Sequence, residues 1–363
     1  MTPNQPDRPS PQNTRDLTID ILRGLAIFTM LCANAIGYVT PSSEHPVWIK
    51  FYGSFAAPLF ILLAGYMASM GLVQKDYPLS YYMKRGLMVI LTAVVIDTLI
   101  WEILPFTTFD VLYVIGFSLP LIYFLFKGGL IATGSVIIIL FGMPPILQDL
   151  FGYTSYPTEY SLNGELTTAV KNQTSILQHF FIDGWFPVFP WLGFAFLGAL
   201  FFSLKERFDN FKSLKFLISG IAGIVIGGIG LYYYPLERLL PERGAYNEIF
   251  YPPTVVYILC ALGVIIVLFS ITSRIQGFLI FRPLQIMGET SLFIYILHTA
   301  IISFVIEPYY ASEASGIPTG TFSDAMAVYV LLTAACFIPS LLIHIIKQKR
   351  KFRNFLIRFY FGS

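Results

Sequence analysis

The chain has 363 residues, 56% of them hydrophobic and only 12% charged, with a formal net charge of +2. A mean hydropathy of +0.69 and so low a charged fraction exclude an ordinary soluble protein, in which about 25% of residues are charged. Apolar stretches of about 20 residues recur from end to end, the length a helix needs to cross ~30 Å of hydrocarbon. They lack the alternation of barrel strands, so the expected fold class is all-α: a polytopic membrane protein.

Residues 1–16 are rich in Pro, Asn and Gln and have no apolar core of their own, which predicts a disordered cytoplasmic tail and no cleavable signal peptide. Ten spans are expected near Leu17–Val39, Phe51–Val73, Gly86–Leu104, Val111–Phe126, Gly129–Leu147, Ile176–Leu204, Phe216–Tyr234, Thr254–Thr272, Leu284–Ile306 and Ala325–Ile346. Together they form a transmembrane domain over 17–346, followed by a basic cytoplasmic tail over 347–363. With the N-terminus inside, every Lys and Arg except Arg23, Lys50, Lys171, Arg238 and Arg243 falls on the cytoplasmic side. The positive-inside rule then puts both termini in the cytoplasm, and the KQKRKFRNFLIR stretch reads as an anchor to anionic lipid. No segment outside the spans is long enough to fold alone, so any chemistry lies among the spans and their short loops. Cys32, Cys260 and Cys336 sit in apolar runs with no redox or ligand spacing, and no metal site is expected. There is no Walker A loop, HExxH or serine elbow.

The most informative segment runs from Arg15 to Tyr66. Asp20 and Arg23 lie one helical turn apart inside the first span, Asn34 lies further along it, and His45 follows in the loop beyond. Ionisable groups in a span are costly and are seldom left without a partner or a task. Asp20 and Arg23 can form a structural ion pair. Alternatively, Arg23, joined by Lys84, Arg85 or Arg282, can anchor an anionic ligand, since guanidinium meets phosphate through two parallel hydrogen bonds. His45 is positioned for acid–base work at the outer mouth, or is an incidental loop histidine. Asn34 reads as a functional polar group or as an inter-helix hydrogen bond. Asp97, Glu102 and Asp110 gather at the outer end of the third and fourth spans, lining the same vestibule or facing water. His179 and Asp183, four apart, form a weaker acid–base candidate, with Pro187 and Pro190 breaking the helix after them. In the ninth span Glu289 lies near the cytoplasmic side and His298 near mid-membrane, where a histidine needs a polar neighbour or a cavity. His344, beside the basic tail, reads as a snorkelling interface residue.

RDLTIDILRGLAIFTMLCAN, the loop with His45 and Trp48, and then APLFILLAGY resemble the opening of the heparan-alpha-glucosaminide N-acetyltransferase family and its bacterial relatives. DVLYVIGFSLPL, FPWLGFAFLGAL and GETSLFIYILH extend the resemblance along nearly the whole membrane domain. The resemblance implies acetyl transfer from cytoplasmic acetyl-CoA to a sugar across the membrane, with the far-side loop histidine at His45, the preceding polar position at Asn34 and the later histidine at His298. Ser54 departs from the family, standing where the lysosomal enzyme has an acidic residue.

The reading that follows is an acyl-CoA-dependent acyltransferase of the cell inner (plasma) membrane, acting on an extracytoplasmic sugar or glycan. Catalysis is assigned to His45, Asn34 and His298, and donor binding to Arg23, Arg85 and Arg282. Its partners are acyl-CoA, the glycan acceptor and membrane lipid, without nucleic acid, and a homodimer is compatible with it. Two other readings stay open: a proton-coupled transporter or flippase using His298, Glu289 and Asp97, and a non-catalytic membrane subunit.

Overall fold

A computed structural model describes residues 16–41, 45–154, 157–166, 174–208, 210–233, 249–251, 253–311, 318–350, 352 and 354–362. The expected N-terminal tail, apart from Asp16, lies outside the described residues, as do Arg8, Arg15, Glu44, Lys171, Arg238, Arg243, Lys351 and Arg353.

Helix α1, Leu17–Val39, begins where Asp16 accepts a hydrogen bond from the Thr18 backbone N–H, satisfying one of the donors that every helix start leaves open. α2, Val47–Ser54, and α3, Ala56–Lys75, follow almost in line and count as one span from Trp48. α4 is Leu79–Leu99, several residues earlier than expected. It starts right after Pro78, and beyond it Glu102, Phe106 and Phe109 all have positive φ, which no helix can contain. α5 is the 17-residue Val111–Lys127, and the fifth expected span is a bent pair, α6, Gly129–Gly142, and α7, Pro144–Phe151, meeting at 41°.

The sixth expected span is not continuous. A π turn at His179–Asp183 precedes α8, Val188–Phe208. Between them Gly184 is extended, and Phe189 is non-helical just before Pro190, as the residue ahead of a proline is driven to be. α9 is Leu214–Tyr233 and α10 is Val255–Ile275, capped by the Thr254 side chain. The ninth expected span divides into α11, Arg282–Glu289, and α12, Ser291–Ile301, which continues through a π turn to Tyr310. α13, Phe322–Lys349, opens with a reciprocal capping box between Thr321 and Asp324, and α14 is Phe355–Phe361. Eight helices among the described residues are long and apolar enough to cross a membrane, or nine if the α6–α7 pair is one span. α5 is a shorter apolar helix beside them.

α1 is the hub, packing on α3, α11 and α13, while α8 packs on α3 and α6, and α9 pairs with α10. The α1–α11 crossing is a backbone-to-backbone contact. A Cβ on Gly24 would lie 1.8 Å from the Leu284 carbonyl oxygen, and one on Gly288 would lie 1.9 Å from that of Asp20.

Hydrogen bonds define two ends. At one, Lys205 bonds Asp16 at 2.5 Å, Thr18 bonds Gln276 at 2.8 Å and Arg274 bonds the Lys212 carbonyl at 2.8 Å. At the other, the Gly320 N–H bonds the Val39 carbonyl at 2.8 Å, and the Trp185 N–H bonds that of Thr108. The basic end is closed by the chain's own C-terminal segment. There Lys347 donates to the Phe361 carbonyl at 3.2 Å, Tyr360 meets Thr92 at 3.3 Å, and Phe361 packs on Phe293.

Candidate functional site

Asn34 and His298, 264 positions apart in sequence, meet. The Asn34 Nδ2 lies 3.0 Å from His298 Nε2, and His298 Nδ1 lies 3.0 Å from the Ile294 carbonyl oxygen. A carbonyl can only accept, so Nδ1 carries the proton; an amide nitrogen can only donate, so Nε2 is the bare acceptor. The imidazole is thus a single neutral tautomer with both nitrogens engaged. His298 is 2% exposed, whereas Asn34 is half-buried. The histidine is the support and the amide is the reachable group.

His45 caps the same end of α1. Its Nε2 donates to the Thr40 carbonyl at 2.9 Å. Thr40 in turn bonds the Thr321 carbonyl at 3.2 Å, tying the loop to the start of α13. Asn34 lies six residues before Thr40, ~9 Å down the helix axis. His45, in the loop beyond α1, and the Asn34–His298 pair therefore lie at successive levels towards the same end of α1. Trp48 beside them is 60% exposed and meets Phe322 edge-on. Ser54 is buried and holds the chain at the start of α10, accepting from the Ile249 N–H at 3.0 Å and, at its carbonyl, from the Tyr257 hydroxyl at 2.6 Å.

The acidic residues expected at this end do not face water as a group. Asp97 and Asp110 are buried, each met by a phenol: Tyr113 donates to Asp97, and Tyr295 donates to Asp110 at 2.5 Å. Burial pushes the Asp110 carboxyl up from its ordinary range, and the Tyr295 hydrogen bond opposes that shift. Tyr295 also packs edge-on against His298, with ring centroids 5.2 Å apart. Neither tyrosine was reached by sequence reasoning, although Asp110 with Tyr113 and Tyr295 with His298 are both spaced i, i+3. The α4–α5 loop that holds Asp110 carries the three left-handed residues noted above, a kind of strain that concentrates at functional sites.

The His179–Asp183 pair exists, but both its nitrogens are committed. Nδ1 bonds Asp183 at 2.8 Å and Nε2 accepts the Thr158 N–H at 3.2 Å, while Thr154 and Gln178 donate to the other carboxylate oxygen. It serves to hold Thr154 and Thr158 to the π turn. Asp183→Asn is expected to destabilise the protein by about 1.5–3 kcal/mol, the worth of hydrogen bonds to a charged group, read as a lower thermal midpoint in detergent.

At the basic end Arg23 lies 3.9 Å from Asp20, the ion pair that their spacing predicted, and also donates to Ser291 Oγ at 2.5 Å. Arg85 bonds the Tyr81 hydroxyl at 2.9 Å and lies over the Phe359 ring, and Arg282 is exposed at the start of α11. The three arginines share this end on separate elements. His344 does not simply snorkel: it bonds the buried Glu289 at 3.0 Å, with Lys347 at 3.5 Å from the same oxygen. Among the described residues no group of three or more His, Cys, Asp or Glu side chains is arranged to hold a metal ion.

The family model described as heparan-alpha-glucosaminide N-acetyltransferase, catalytic, matches residues 15–236. Comparison with curated proteins gives no match. The matched stretch contains Arg23, Asn34, His45, Arg85, Asp97 and Asp110; α10 to α14, with His298, lie beyond it and pack back on it through α1. Matched over more than half its length, the chain belongs to the heparan-alpha-glucosaminide N-acetyltransferase family and is an all-α, multi-pass membrane transferase.

Proposed function

We propose that this protein moves an acetyl group from cytoplasmic acetyl-CoA to a sugar or glycan on the far side of the cell inner (plasma) membrane. The observation that carries the proposal is the Asn34–His298 hydrogen bond, 3.0 Å long, one level below His45 in a bundle of this family. A charged CoA cannot cross hydrocarbon, so the thioester has to enter from the basic end. Arg23, Arg85 and Arg282 are the cations assigned to its phosphates. His45 Nδ1 takes the proton of the acceptor O–H or N–H as the new bond to the acetyl carbon forms. The second N–H of the Asn34 amide is a donor for the oxyanion that develops. When the C–S bond breaks, the CoA sulfur leaves as thiolate and takes up the proton that His45 had accepted, giving the thiol and restoring the neutral imidazole.

The test uses the full chain in sealed vesicles with radiolabelled acetyl-CoA on the basic side and glucosamine, or a hydroxyl sugar, on the other. Labelled sugar is the expected product. Arg85→Glu should raise the KM for acetyl-CoA by about tenfold or more, the loss of one charge-assisted contact, and leave that for the sugar unchanged. A folded wild-type protein that neither binds acetyl-CoA nor labels a sugar overturns the proposal.

A further inference from the structure

The mechanism above uses the Asn34 amide, and a primary amide is a useful oxyanion donor only if it is held. Its holder is His298, and His298 is itself fixed at three points: Ile294 at Nδ1, Asn34 at Nε2, and the Tyr295 ring at its edge. Two of these partners lie on the same helix and move with it. Across to α5 that helix segment is tied by the Tyr295 hydroxyl, which reaches Asp110 at the entrance of α5 at 2.5 Å; towards α1 it is held by the Arg23–Ser291 and Asn34–His298 bonds. Both residues are buried, at 5% and 8% exposure, so the bond is shielded from competing water. The groups facing Tyr295 from neighbouring elements are Asp110, Asp97 and Tyr38; Asp97 is in turn held by Tyr113. The chain of contacts runs Asp110, Tyr295, His298, Asn34.

We infer that Tyr295 and Asp110 are positioning residues: their hydrogen bond fixes the His298 ring, and through it the Asn34 amide, at the reacting centre. The bond joins positions 185 apart, one inside the family-matched stretch and one beyond it. Beside the Asn34–His298 and Arg23–Ser291 bonds, it is a further tie by which the second part of the chain sets geometry in the first. The inference rests on the proposed function only for its consequence in turnover, not for the geometry itself.

The chain has four histidines, few enough to resolve by 15N NMR of histidine-labelled full-length protein in lipid nanodiscs, with His298→Gln identifying the His298 signals. Wild type should show one neutral tautomer, protonated at Nδ1. Tyr295→Phe keeps the ring and removes the hydroxyl, and is expected to shift and broaden the His298 Nε2 signal as the Asn34 contact loosens, with Nδ1 still protonated by its bond to Ile294 on the same helix. Asp110→Ala should do the same, and Asp110→Asn, which keeps an acceptor oxygen, should restore most of the wild-type signal. In the vesicle assay, Tyr295→Phe should lower kcat about tenfold to a hundredfold, as small displacements of a positioned group do, with the KM for acetyl-CoA unchanged. An unaltered His298 spectrum in folded Tyr295→Phe overturns the inference, even if Asp110→Ala does not fold. So does an unaltered kcat. Should wild type label no sugar, the proposed function fails while the spectrum still decides the positioning role.

Discussion

His45→Ala is expected to lose acetyl transfer by about 10²–10⁴-fold, the usual contribution of a general base, with the thermal midpoint and acetyl-CoA binding retained. The residue lies in the loop after α1, outside the spans, and bonds the Thr40 carbonyl on the same stretch, so the spans keep their own packing when it is removed. His45→Gln is the sharper variant: an amide N–H can still bond the Thr40 carbonyl but cannot take a proton at neutral pH. Loss of activity in both variants, with radiolabelled acetyl-CoA still bound, assigns the proton to this ring. Turnover within a few-fold of wild type in folded His45→Gln would reject it as the base.

Gly288→Leu should have the largest effect on folding. The position cannot hold even a Cβ, which would lie 1.9 Å from the Asp20 carbonyl oxygen and 2.9 Å from the Gly24 nitrogen. Both obstacles are backbone, so no rotamer change relieves them and α11 has to move off α1. Overpacking of this kind costs about 1–3 kcal/mol or more. It would also displace Ser291 from Arg23 three residues on. Loss of monodisperse protein on size-exclusion chromatography, or a strongly lowered midpoint, is the expected readout. Gly134→Ala is the control, since a Cβ there meets nothing within 4 Å, and helix propensity favours alanine by about 0.5–1 kcal/mol. Equal behaviour of the two variants would show that the α1–α11 crossing is looser than described.

The membrane class and most helix positions were legible because they depend on local composition alone. Asp16, Pro78, Thr254 and Thr321 sit at helix starts for reasons visible within four residues. The Asp20–Arg23 and His179–Asp183 pairs were legible too, since helical spacing brings i, i+3 and i, i+4 side chains to one face. What these pairs do was not. The second nitrogen of His179 goes to the Thr158 N–H and the second partner of Arg23 is Ser291, contacts set by how distant segments pack. The break at Glu289–Thr290 was hidden for a different reason. The sequence there carries no proline, and the interruption falls two residues after the close approach of Gly288 to α1. Asn34 and His298 were each singled out, but their contact, like that of Tyr295 with Asp110, is a product of tertiary packing that no periodicity encodes.

The inward return of Phe355–Phe361 has a bearing on how the protein is made. Those residues follow every described span in the chain, so they emerge from the ribosome after them. Until they dock, the flanks of α4, α12 and α13 that Phe359, Tyr360 and Phe361 cover remain bare. Sealing of the basic end is therefore a late step of assembly, one that waits for three helices far apart in sequence to stand side by side.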